Sequence, residues 1–120
     1  MPSLEKHIKQ AEKNERFFND FDLKNTQFLD WAITALFYSA LHYVDAYLAI
    51  RSQHPSNHKK RGWWLNREQN LRHIYYDYAE LKNRSEDARY KILQFPPHVV
   101  SSLEVKEFTH VKSHIRSLIP

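Results

Sequence analysis

Residues 28–50, FLDWAITALFYSALHYVDAYLAI, put apolar side chains on nearly every face of any helix they form. A surface helix needs a polar side, so this one must be covered on most sides or lie in a bilayer. The stretch is long enough to span hydrocarbon. It also holds Asp30, His42 and Asp45, and aspartate is among the costliest residues at a membrane centre. The expectation is a buried rod at the middle of a helical protein, with no membrane partner.

The remaining sequence suits helices packed on such a rod. Glycine occurs once, at Gly62, and the five prolines fall at the ends or in two short stretches, which leaves few of the residues that hairpin turns require. The chain of 120 residues is read as one domain over 1–120, an all-α antiparallel up-and-down bundle of four to five helices. Without cysteine there is no disulfide framework and no thiolate zinc site, which points to a reducing, cytoplasmic compartment. Residues 1–21 lack the charged-then-apolar layout of an export signal. The net charge of +4 suits a nucleic-acid partner without the density of a basic tail.

Along the chain, Ser3 caps a first helix with Leu4, Ile8, Ala11 and Phe18 on its inner stripe, ending near Asn19. The apolar helix runs from about Gln27 to Ile50. A turn at Ser52–Pro55 follows, and Ser56 or Asn57 caps a third helix that reaches about Asn83 and bears Trp64, Leu71, Ile74, Tyr75, Tyr78 and Leu81 inward. Gly62 is a point where it can kink. Ser85 opens a short helical turn through Tyr90, stopped by Pro96 and Pro97, and Ser101 or Ser102 caps a last helix with Glu104, Phe108, Val111, Ile115 and Leu118 on one face.

Thr34, Tyr38, His42 and Asp45 recur at helical spacing and so make one polar stripe on the apolar helix. Buried polar groups cost about 1–3 kcal/mol each unless hydrogen-bonded. The stripe therefore belongs to an internal hydrogen-bond network or lines a cleft, and His42 with Asp45 can form a dyad. It points toward Arg51, His54, His58 and Arg61 at the junction with the next helix. A histidine to move a proton and a cation to hold phosphate charge are what metal-independent RNA cleavage needs; the same cluster also reads as a solvated, helix-capping turn. His54/His58 and His110/His114 are each four apart, and Glu107 with His110 makes a single Glu-x-x-His. With no further ligand at useful spacing, neither a metal nor another cofactor is expected. Of the aromatics, Tyr75 and Tyr78 read as core and Trp63 as an interface residue.

The run Asp30 to Ala49, then His54-Pro-Ser-Asn-His58-Lys-Lys-Arg61, then Tyr78 to Leu81 with Ser85-Glu-Asp-Ala-Arg89-Tyr90, resembles a bacterial HEPN domain in segments and order. The resemblance implies a helical bundle that dimerises and, in many members, cuts RNA without a metal through an Arg-x4-6-His motif contributed by both protomers, as an endoribonuclease of a toxin or defence system. Arg51 to His58 fits that motif across the helix junction, and Arg67 to His73 fits it further on. It further implies His58 as general acid or base and Arg51 steadying phosphate. His54 and Arg61 would assist, and Tyr38, His42 and Asp45 would line the substrate side. The alternative is a non-catalytic module, an antitoxin-like partner or a nucleotide-binding accessory domain beside a nucleotidyltransferase.

Overall fold

The computed structural model describes residues 2–120, which form five helices and, among the described residues, no strand. Helix α1 (Leu4–Asn19) is capped by Ser3, whose hydroxyl accepts from the Lys6 amide at 3.3 Å, and Glu5 in its first turn complements the helix dipole. Helix α2 (Leu29–Ile50) begins two residues later than expected. It ends in a Schellman turn: Ser52, in the left-handed region at φ 57°, sends its amide to Ala49 O (3.0 Å), and Gln53 sends its amide to Leu48 O (2.8 Å).

The third predicted helix is two helices. Helix α3 (His58–Arg67) stops at Glu68, whose backbone is extended; a 3-10 turn (Arg72–Ile74) then leads into α4 (Tyr75–Tyr90). The break is a tether to α2. Tyr47 Oη donates to the Glu68 carboxylate at 3.4 Å and accepts from Asn70 Nδ2 at 3.0 Å, which drags the connection across the end of the rod. A periodic stripe cannot report such a tertiary hook. Ser85 caps nothing: it lies fully buried inside α4.

The last rod, α5, starts earlier than Ser101 or Ser102, at Pro97, where a missing amide and a fixed φ suit the first helical position. It continues as α-helix over Pro97–Ser102, a π-helical stretch over Leu103–Phe108, and α-helix over Thr109–Leu118. In the widened turn Thr109 Oγ1 donates back to Glu104 O at 2.8 Å.

Paired residues give the directions. His7 meets His42 while Ala11 O meets Ser39, so α1 and α2 are antiparallel. Glu68 and Asn70 meet Tyr47 while Arg89 meets Tyr38, so α4 runs back along α2. Lys112 pairs with Glu15 and Arg116 with Glu12, and His110 with Asp77, so α5 is antiparallel to both α1 and α4. Helices α1, α2, α4 and α5 thus form an up-and-down bundle, 41 × 23 × 23 Å overall, with short α3 beside α2, from His58 at Phe37 to Glu68 at Tyr47. Helix α2 is long and apolar enough to cross a membrane, but 72% of its most apolar window is buried by the rest of the chain. The core gathers Ile33, Leu36, Phe37, Val44 and Leu48 of α2 with Leu65, Ile74, Leu81, Val111 and Ile115.

Candidate functional site: the polar seam of helix α2

Three of the four polar residues of the α2 stripe find their partners on three different helices, and Thr34 finds its own within α2. Thr34 turns its hydroxyl onto Asp30 O one turn back, at 2.9 Å. Tyr38 Oη accepts from Arg89 Nη1 of α4 at 2.8 Å, with the guanidinium also over the Tyr38 ring. His42 shares a hydrogen bond with His7 of α1, Nδ1 to Nδ1 at 3.1 Å, in which one ring donates and the other accepts. Asp45 takes both arms of Arg61 from α3, Nε at 2.7 Å and Nη2 at 3.0 Å. The internal-network reading of the stripe is therefore the one its geometry carries. Asp45 spends both oxygens on Arg61, and His42 turns to His7 instead of forming the expected dyad.

His7 was not singled out from sequence. It lies three residues after Leu4 and four before Ala11, on the buried stripe of α1, and that spacing is the signal that marks it.

The junction residues divide. His58, at the start of α3, packs its ring on Phe37 (centroids 5.8 Å) and is approached by Arg61 Nη1 at 3.5 Å. Burial, and then the charges of Arg61, Lys82 and Arg89, hold it below the usual histidine range; Glu86 alone pulls the other way. The shift favours its neutral form. Arg51 stays more than half exposed at the far side of the Schellman turn and lies 3.9 Å from Glu68; no hydrogen bond or ion pair joins it to His58 among the described residues. Of the second spacing, Arg67 sits over the Trp63 ring at 4.7 Å, whereas His73 lies against His110 and His114.

The first turn of α3 is electrostatically lopsided. Asn57 caps it by accepting from the Lys60 amide at 2.8 Å, and His58, Lys59, Lys60 and Arg61 follow with no acid. A helix N-terminus carries partial positive charge, so cations there repel it and an anion is favoured. Only Arg61 is neutralised internally. A cleft of about 450 Å³ opens beside this turn, lined by Gln53, His54, Lys59, Lys60, Trp63 and Trp64. Trp63 is half exposed and Trp64 meets it edge-on at 4.9 Å. Among the described residues, three buried polar side-chain atoms lack a protein hydrogen-bond partner: His54 Nδ1, Tyr78 Oη and Ser85 Oγ. The expectations for Tyr75 and Tyr78 hold, since Tyr78 is buried and Tyr75 packs on the core.

Fold and site together define a helical bundle with a basic, aromatic-walled cleft at one helix junction. Comparison with protein-family models, curated proteins and solved structures gives no match.

Proposed function

We propose that this chain is a HEPN-like, RNA-interacting cytoplasmic domain that holds phosphate groups at the basic first turn of α3 and stacks a base against Trp63. The observation that carries the reading is that turn: four consecutive cationic or ionisable side chains at the positive end of a helix, without an acid, beside the large cleft. Lys59 and Lys60 reach phosphate as mobile point charges. The exposed indole of Trp63 offers the sequence-tolerant π-face used by single-strand binders. Arg61 acts on the cleft from behind, by fixing α3 onto α2 through Asp45.

A second reading, metal-independent cleavage, is favoured by one observation. His58 is kept neutral, the state a general base requires, amid the cations Arg61, Lys82 and Arg89. Arg51 lies beside Glu68 at 3.9 Å, outside the cleft lining, so this reading rests on His58. The pairing of protomers implied by the HEPN resemblance is assigned to the exposed Phe17, Phe28 and Trp31 at the α1–α2 hairpin, and sedimentation equilibrium tests it.

The test is fluorescence anisotropy of a labelled short single-stranded RNA, with ATP as a separate arm, in EDTA at low salt. Binding weakened by Lys59→Ala with Lys60→Ala and by Trp63→Ala supports the reading. Absence of RNA binding, or equal binding by these variants, ends it. A gel of the same mixtures shows whether wild type cuts and His58→Ala does not.

A further inference from the structure

The pair His7 and His42 lies away from the lysines and tryptophans of the cleft, and its geometry has a use of its own. The two rings meet Nδ1 to Nδ1 at 3.1 Å, and one donor atom from each of His7, His42 and Asp45 lies within 4.8 Å of the other two. A tetrahedral zinc ion, with bonds near 2.0–2.1 Å, sets its donors about 3.3 Å apart. The two nitrogens already stand near that spacing, and the carboxylate needs a side-chain adjustment on the order of 1 Å to join them.

We propose that His7, His42 and Asp45 form a site for a divalent transition metal of the zinc type, with two imidazole nitrogens and one carboxylate oxygen as its protein ligands. Nitrogen-rich mixed donors of this kind select zinc and its neighbours over magnesium or calcium, which take oxygen shells. The ligands are placed by rigid elements. Helices α1 and α2 are locked by the buried bond from Ser39 Oγ to Ala11 O at 2.7 Å, one turn beyond the histidines. Asp45 is oriented by the Arg61 fork, the outer-shell role that ligating carboxylates require. An entry path exists: His42 also lines a cleft of about 300 Å³ with Gln10, Asn14, Phe17, Trp31 and Tyr38. The ion would bind α1 to α2 in place of the single proton that the two rings otherwise share.

The site shares Asp45 with the fork that fixes α3 but uses none of Lys59, Lys60, Trp63 and His54, so metal binding and RNA binding are read by separate variants. A second histidine group serves as its control. His73, His110 and His114 cluster between α4 and α5, but His110 Nδ1 engages Asp77 and His114 Nε2 engages Asn70 O, and they do not converge three donors within the same reach.

The experiment titrates Zn²⁺ and Co²⁺ into the full chain carrying no polyhistidine tag. It follows melting temperature, Co²⁺ visible absorption, and the histidine nitrogen resonances of the wild-type protein. The proposal expects saturable one-to-one binding, perturbation of the His7 and His42 Nδ1 signals, and a loss of affinity of at least about tenfold in His7→Gln and His42→Gln but not in His110→Gln. The wild-type resonances decide the matter even where a glutamine variant folds poorly. No saturable binding, or metal shifts confined to His73, His110 and His114, overturns it.

Discussion

Arg61 grips Asp45 through two arms of its guanidinium, Nε at 2.7 Å and Nη2 at 3.0 Å, and both side chains are only 8% exposed. The pair joins the end of α2 to the start of α3, and Arg61 Nη2 also reaches Pro55 O of the loop between them, at 3.5 Å. Two charges this deep are held by each other, so removing one strands the other. Arg61→Met alone costs about 3–5 kcal/mol, whereas Asp45→Leu combined with Arg61→Met recovers most of that loss. Urea unfolding of the two single variants and the double variant measures the coupling. Additive losses would show that the fork contributes little.

Acid weakens the bundle through its histidines. His7, His42 and His58 all sit below their ordinary value of about 6.5, in each case chiefly through burial. Asp45 opposes this at His7 and His42, Glu86 opposes it at His58, and Arg61 reinforces it at all three. Below about pH 6.5 the unfolded chain binds more protons than the folded one, so stability is complete above that pH and falls as pH drops toward the lowered folded values. Glu104 and Glu107, raised by burial, act in the opposite sense around the carboxylate range. Melting temperature measured from about pH 7.5 to about pH 5.5 falls for wild type, and falls less for His42→Gln. A flat profile would mean that these rings titrate as free histidine does.

Two backbone positions are suited to exchange of their residue types. Ser52 holds φ 57° at the C′ position of α2, where glycine avoids a penalty of about 1 kcal/mol. Gly62 lies inside α3, and a Cβ placed there meets nothing within 4 Å. Ser52→Gly and Gly62→Ala each raise stability, by about 0.5–1 kcal/mol. Thermal melts report this directly, and a loss at Gly62→Ala would show that the α3 backbone there is not ordinary helix.

Salt dependence reads out the lysines. On a single-stranded RNA, each phosphate contact contributes about 0.7 to the slope of log affinity against log salt, so Lys59→Ala with Lys60→Ala flattens it by about 1.4. Trp63→Ala weakens binding by about 1–3 kcal/mol with the slope unchanged. Anisotropy over a salt series separates the two effects.

Much of the architecture is written in local pattern. The all-round apolar character of α2 demands a central position, the Ser3 cap and the α1 stripe mark the first helix, and Tyr38, His42 and Asp45 fall on one seam because residues three and four apart share a helix face. What the pattern could not convey is which distant groups meet that seam. The split between α3 and α4 depends on Tyr47 holding Glu68 and Asn70, and the start of α5 on Pro97 taking the first helical position.

His7 reaches His42 across 35 residues, Arg89 reaches Tyr38 across 51, and Asp45 selects Arg61 in preference to Arg51. Periodicity determines which face of a helix turns inward, because it follows from the backbone's own screw. The choice of partner belongs to the packed bundle, where burial makes an unpaired charge or hydroxyl costly and geometry leaves each one few neighbours.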